Sequence, residues 1–373
     1  MSIETAITDA WQRRAIWLWL LLPLSWLYAL ISILRRQAYK VGLFKSYQAP
    51  VPVMVIGNIT VGGSGKTPLI ITLVDYLQQR NVQVGVISRG YGGDSTQMPA
   101  LVTETSLPSV VGDEPCLIVG MTAVPMAVCP NRELAIATLL AANPNLQLII
   151  ADDGLQHYAL QRDIEWIVVD VARGFGNKQL LPTGFLREPL TRLDNATVIH
   201  HEKANTDSDN KLPTARLTMQ LQPDSLQPLF AISDQSELDD TEASEMLPKS
   251  GDKVHGVSGI GYPQRFFTTL GSLGFEVIPH SYPDHHDFDL NDLRQYDQYP
   301  IIVTSKDAVK IRHLFMRAKK EASNKGAKPS IADHKALLNR LWVLPVTAVL
   351  SANCYQTLEQ QLKDLDIELL ERR

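Results

Sequence analysis

Cysteine is scarce. The 373 residues hold three, Cys116, Cys129 and Cys354, odd in number and far apart. That excludes a disulfide framework and leaves no CxxC spacing for a metal; reduced thiols in a reducing compartment are expected. A basic excess is also missing, since 35 Lys and Arg stand against 40 Asp and Glu for a net charge of −5. A dedicated nucleic-acid binder needs clustered positive charge, so no nucleic-acid partner is expected. No internal repeat is present. With 45% hydrophobic and 20% charged residues the chain has the composition of a folded protein, and its length fits two domains of ~150 residues plus extras.

Charge is absent locally as well. Ala15 to Leu34 reads AIWLWLLLPLSWLYALISIL, 20 residues without a charge. As a helix this run would be roughly 30 Å long, about the hydrocarbon thickness of a bilayer. Arg13 and Arg14 precede it, and Arg35 and Arg36 follow. Trp11, Trp17, Trp19, Trp26 and Tyr28 suit a wet–dry boundary. Pro23 predicts a kink. A cleaved leader and a buried core helix compete with this reading, but no small-x-small site precedes the Arg pair. A retained membrane anchor is expected, whether it spans or lies in one leaflet.

Beyond a basic connector, short apolar runs alternate with helical patterns. Val51–Gly57, Val82–Ser88, Leu146–Ala151, Ile164–Asp170 and Thr197–His200 read as strands. Pro68–Leu77 and Asn131–Ala142 read as helices, and Leu117–Val119 is too short to assign. Alternation of this kind predicts an open parallel α/β sheet. Asn205–Leu212 is polar and reads as a hinge. Residues 215–231 alternate as a half-buried strand would, and Asp234–Glu245 reads as an acidic solvated face. Val254–Ile260 and Ile301–Thr304 predict a second, smaller α/β lobe. Arg317–Lys328 holds five basic residues and reads as a solvated loop or a contact for anionic headgroups. The expected division is an anchor at 1–36, a P-loop lobe at 37–204 and a second lobe at 205–373.

Thr60-Val61-Gly62-Gly63-Ser64-Gly65-Lys66-Thr67 follows the first strand and opens the first helix. It nearly matches G-x-x-x-x-G-K-[ST], with Thr60 in place of the first glycine. Small residues let backbone N–H groups close around phosphate oxygens, and the helix N-terminus adds partial positive charge. Lys66 would reach the β- and γ-phosphates of ATP, and Thr67 would offer a hydroxyl to Mg²⁺. The strand ending in Asp152 and Asp153 supplies hard carboxylate oxygens for the same cation.

The remaining residues narrow the class of P-loop enzyme. Thr304-Ser-Lys-Asp307 fails the spacing of a guanine reader, and no LSGGQ-like signature of transporter ATPases is present. Asp113, in a predicted turn, is a candidate proton acceptor. Tyr282-Pro-Asp-His-His-Asp-Phe288 offers histidines beside aspartates, a pairing that can share and orient a proton. Zinc lacks a matching ligand spacing there.

These motifs together resemble the tetraacyldisaccharide 4′-kinases of lipid A biosynthesis. The resemblance runs from the N-terminal apolar helix through Gly57–Pro68, Ser88-Arg-Gly-Tyr-Gly92, Gly112-Asp-Glu-Pro115, Asp152-Asp-Gly-Leu-Gln-His157 and Leu181–Pro189. It continues in Gly259–Phe267, Tyr282–His285 and Thr304–Val309. Leu155 and Ser305 depart from the pattern without touching the chemistry. The resemblance implies transfer of the γ-phosphoryl group of ATP to the 4′-hydroxyl of an acylated glucosamine disaccharide 1-phosphate, giving lipid IVA. This would take place on the cytoplasmic face of the Gram-negative inner membrane, with ATP between two α/β lobes. It implies a catalytic pair at Asp113 and His285, with Asp284 beside them, and Mg²⁺ at Asp152 and Asp153. It places Arg89, Tyr91, Glu114 and Arg187 on the substrate side. A membrane-tethered ATPase powering transport and a nucleotide-binding scaffold are the alternatives; neither gives Asp113 and His285 a task.

Overall fold

The computed structural model describes residues 7, 10, 11, 13, 15–203, 216–230, 247–324 and 336–370. A 3-10 segment, Ile16–Leu21, leads into helix α1 (Leu22–Lys40). Pro23 sits in the first turn of α1, where a missing N–H goes unneeded. It therefore starts α1, at the point where the 3-10 segment ends. One stripe of this apolar segment is fastened down. Leu18 is fully buried, Trp11 Nε1 donates to the Pro182 carbonyl at 2.9 Å, and Ser25 Oγ donates to Leu180 O and accepts from Thr183 N. The rest faces outward, with Ile16 85% and Leu20 81% exposed. Only 11% of the apolar window is buried, so the helix is not part of the core.

The chain then alternates β1 (Val53–Gly57), α2 (Lys66–Gln78), β2 (Val84–Ser88), β3 (Ala100–Val102), α3 (Asp113–Thr122), β4 (Met126–Val128) and α4 (Arg132–Ala142). It continues through β5 (Leu148–Asp152), β6 (Ile164–Asp170), β7 (Thr197–Glu202) and β8 (Leu217–Pro223). The second lobe comprises β9 (Gln227–Pro228), β10 (Lys253–Ser258), α5 (Pro263–Ser272), β11 (Glu276–Ser281), α6 (Leu290–Arg294), β12 (Ile301–Thr304), α7 (Ser305–Asn324) and β13 (Leu341–Leu344). Last come β14 (Val346–Leu350) and α8 (Ala352–Lys363).

Among the described residues the strands form two sheets. The larger has the order β14-β8-β7-β6-β1-β5-β2-β4-β3, the smaller β11-β10-β12-β13-β9. Pairing is parallel except at β3–β4, β8–β14 and β9–β13. Strands β1, β2 and β5 are buried on both faces, as covered parallel strands must be. Met54, Ile56, Ile150 and Trp166 pack with Leu69, Leu73 and Leu77 of α2 and Leu358 of α8. Val55 and Ala151 pack on the other face with Ile136 and Leu139 of α4. The chain leaves β1 toward β2 on one side and later crosses from β5 to β6 on the other. This reversal opens a crevice at the strand C-termini, where ligands bind in such sheets.

Several expectations need correction. The smaller sheet is an insertion: β8 and β14 pair with each other in the larger sheet, so sheet membership does not divide at residue 205. A half-buried strand reads alike in either sheet, because alternation reports burial and not partner. Leu117–Val119 lies within α3, and α7 carries Arg317–Asn324 as helix rather than loop. The hinge at 205–212, the acidic face at 234–245 and the remainder of the basic stretch lie outside the described residues.

Candidate active site

The phosphate loop connects β1 to α2. Gly62 and Gly65 adopt φ of +91° and +92°, left-handed values that favour glycine. A Cβ on Gly65 would also stand 3.0 Å from His201 Nδ1, which itself lies 2.9 Å from the Ser64 carbonyl. Thr60, in place of the first glycine, has no such demand. It forms a short antiparallel bridge to Leu186 outside the left-handed region, so its Cβ is tolerated. Arg173 donates to the Val61 carbonyl and lies over the Phe185 ring.

Register brings the acidic strand end to this loop, since β1 pairs with β5 and Ile56 stands opposite Asp152. The two carboxylates then separate in character. Asp153 takes a left-handed φ of +47° and meets Lys66 Nζ at 3.2 Å and Arg187 Nη1 at 2.9 Å. Burial opposes its ionisation, but Lys66 and Arg187 win and hold it well below the usual carboxylate range. Asp152 is 2% exposed. Its Oδ2 accepts a long bond from Ser88 Oγ at 3.3 Å, and its Oδ1 has no partner. Burial, then the charges of Glu114 and Asp153, push its carboxyl well above the ordinary range. An orphaned, buried carboxylate oxygen beside a phosphate loop fits a cation ligand. Among the described residues no cluster of three or more His, Cys, Asp or Glu could hold a metal ion.

Asp113 opens α3 instead of lying in a turn. Gly112 precedes it with φ +96°, and a Cβ there would meet Tyr91 O at 2.6 Å. Asp113 is 4% exposed. His285 reaches it from the other lobe, Nδ1 to Oδ2 at 3.2 Å. Burial alone would raise the Asp113 carboxyl; the His285 hydrogen bond and the charges of Lys306 and Lys310 bring it down to about 2. It is a carboxylate at neutral pH. His285 itself holds a left-handed φ of +60°, and its backbone N–H donates to Gly259 O at 3.2 Å. Asp284 stands 3.8 Å from His285 Nε2.

The lobes meet over the phosphate loop. A Cβ on Gly261 would lie 2.9 Å from Asp284 Oδ2 and 3.6 Å from Gly63 N. Arg265 of α5 pairs with Asp170 at the end of β6. The structure thus brings Lys66, Thr67, Asp152 and Asp153 to one crevice and closes Asp113, Asp284 and His285 above it. Of the residues expected on the substrate side, the Tyr91 ring lies 4.8 Å from that of His285 and Glu114 pairs with Lys306 at 3.0 Å. Arg89 is exposed at the end of β2, and Arg187 is turned to Asp153. Sequence reading missed Lys306, Lys310, Arg173 and Asn58, whose Oδ1 accepts from Lys66 at 3.1 Å. The Lys-Asp of Thr304–Asp307 was the one visible signal.

Residues 17–363 match the family model described as tetraacyldisaccharide-1-P 4′-kinase. A tetraacyldisaccharide 4′-kinase of Psychrobacter cryohalolentis is 65% identical over 100% of both chains. One of Actinobacillus pleuropneumoniae is 45% identical over 82% of this chain and 89% of the relative. Among solved structures, LpxK from Aquifex aeolicus in complex with ATP superimposes with a TM-score of 0.67 at 24% identity, covering 94% of this chain and 99% of that one. This last likeness carries the fold.

Proposed function

The chain belongs to the tetraacyldisaccharide-1-P 4′-kinase family, and from that premise we propose how its residues perform the reaction. The activity is ATP-dependent phosphorylation of the 4′-hydroxyl of tetraacyldisaccharide 1-phosphate, yielding lipid IVA. A transport ATPase is not favoured by this membership.

Phosphoryl transfer asks a protein for positioning and charge more than for covalent chemistry. The backbone N–H groups of 61–67 cradle the phosphates, and Lys66 neutralises charge on the transferred group. Thr67 and Asp152 would hold Mg²⁺ alongside ATP, with Asp153 kept back by Lys66 and Arg187. Mg²⁺ there supplies electrostatic stabilisation of the charge that builds on the phosphate oxygens. Asp113 accepts the proton of the acceptor hydroxyl, and His285 orients that carboxylate. Asp284, Tyr91, Glu114 and Arg89 line the acceptor side. Closure of the second lobe brings His285 to Asp113 and excludes water. The observation that carries this reading is the 3.2 Å bond between His285 and Asp113 across the cleft above the phosphate loop.

The acceptor is amphiphilic, so its headgroup must be met at a membrane surface. The outward stripe of Ile16, Leu20, Trp26 and Leu30 suits insertion into one leaflet, with the docked stripe holding the kinase against the bilayer. Use of ATP supports a site on the cytoplasmic face.

The test is direct. Detergent-solubilised protein is incubated with γ-labelled ATP, Mg²⁺ and tetraacyldisaccharide 1-phosphate. Label should appear in the lipid and vanish with Lys66→Ala. Free phosphate without labelled lipid would refute the reading.

A further inference from the structure

We propose that Lys306 is a positioning residue for the transfer: it selects the His285 tautomer that hydrogen-bonds Asp113 and locks that pair across the lobes. This rests on the reading of Asp113 as proton acceptor.

The placement of Lys306 is built into the second sheet. It follows β12 directly, as the second residue of α7. Its neighbour Asp307 is fully buried and accepts from Thr304 Oγ1 at 2.7 Å and from Gly259 N at 3.1 Å. The same Gly259 receives the His285 backbone N–H through its carbonyl. The start of α7 and the His285 loop are therefore one rigid piece, and Thr304–Asp307, which fails as a guanine reader, serves to aim a lysine.

Lys306 Nζ then lies 3.3 Å from His285 Nε2, 3.0 Å from Glu114 Oε1, 3.4 Å from Asp284 Oδ1 and 3.9 Å from Asp113 Oδ2. An ammonium carries three hydrogens and no lone pair. The imidazole nitrogen facing it must present a lone pair, so the hydrogen sits on Nδ1 and donates to Asp113. A histidine is commonly fixed through its second nitrogen in this way. Burial would discharge the lysine, but Glu114, Asp113 and Asp284 outweigh it and keep it charged. Lys310 is the second cation in range, 3.7 Å from Asp113 and 3.6 Å from Asp307. Among the described residues Lys306 is the cation that lies within 4 Å of both partners of the dyad, and through Glu114 it reaches the opposing lobe.

The experiment measures kcat, KM for ATP and the pH dependence of kcat for the full chain in detergent. It compares the parent with Lys306→Met, Lys306→Arg and Asp113→Ala. Lys306→Met should lower kcat by ~10-fold or more with KM for ATP within about threefold. Its acid limb should move to higher pH, because removing a cation makes protonation of the pair easier. Lys306→Arg should restore most of the rate. Should Lys306→Met not fold, Lys306→Gln gives the same readout. Parental kcat in Lys306→Met, or a reduced kcat with an unmoved acid limb, overturns the inference. If Asp113→Ala retains parental turnover, the acceptor reading falls and this inference with it. If Asp113→Ala is inactive while Lys306→Met is parental, the positioning role alone fails.

Discussion

The hydroxyl of Tyr28 donates to the carbonyl of Arg187 at 3.0 Å, and the guanidinium of Arg187 holds Asp153 at 2.9 Å. One residue thus links the apolar N-terminal helix to the strand end beside the phosphate loop. Ser25, one turn earlier, satisfies both Leu180 O and Thr183 N. Replacing Ser25 with Val leaves Thr183 N unpaired, while Leu180 O keeps the Gly184 N–H, at a cost of roughly 1–3 kcal/mol. Hydrogen exchange across 22–40 should accelerate while nucleotide affinity stays at the parental value. Unchanged protection would show that the helix is held by apolar contact alone.

Asp152 makes a trade between stability and activity. Its carboxyl is raised by burial, Glu114 and Asp153, so the folded state holds a proton the unfolded state releases. Stability therefore falls as pH rises from the ordinary carboxylate range toward the raised value. Asp152→Asn should remove that loss. Without Mg²⁺ and ATP, its Tm at neutral pH should equal or exceed that of the parent, while kinase turnover drops ~10²-fold or more. A lower Tm would mean that the carboxylate is satisfied in the free enzyme.

Gly63 and Gly65 separate two demands on one loop. A Cβ on Gly65 meets His201 and Met219 and needs φ +92°, whereas at Gly63 nothing lies within 4 Å. Gly65→Ala should lose at least about 1–2 kcal/mol for the left-handed backbone. Gly63→Ala should stay within about 0.5 kcal/mol. Urea titrations of the two variants decide; equal midpoints would contradict the loop geometry.

His157 is half-buried in a basic neighbourhood. Burial, then Arg132, Arg162, Arg35 and Arg89, push its imidazole down to about 4. Between that value and the ordinary ~6.5 the unfolded chain binds the proton more readily, so stability rises with pH. It is complete above ~6.5 and lost as pH falls toward 4. His157→Gln should flatten this dependence, read as urea midpoints at acid and neutral pH.

The sequence carried the site's first half almost whole. The strand, phosphate loop and helix are contiguous, and a second apolar run ends in two carboxylates, so Lys66 and Asp152 were both legible; that β1 and β5 are neighbours is seen in their register. The second half was not. Asp113 and His285 are 172 positions apart, and only family resemblance paired them, since no local pattern encodes which lobes close. Lys306 stood in a visible Lys-Asp motif, but nothing local ties that motif to Asp113 in the other lobe. Residues 215–231, which contain β8, read as half-buried, and that tells nothing of which sheet the strand joins; β14 was not read as a strand at all. The N-terminal run declared its apolarity, but the hydrogen bonds that dock one stripe depend on residues 180–187.

The most direct measurement is a double-mutant cycle on Asp113 and His285, read as label transferred to tetraacyldisaccharide 1-phosphate with ATP binding monitored in parallel. If the two act as one unit, Asp113→Ala and His285→Ala should each cut turnover ~10²-fold or more, and the double variant should be no worse than the poorer single one. ATP binding should survive in all three. Losses that multiply in the double variant would contradict a shared role, and near-parental turnover in Asp113→Ala would remove it as the proton acceptor.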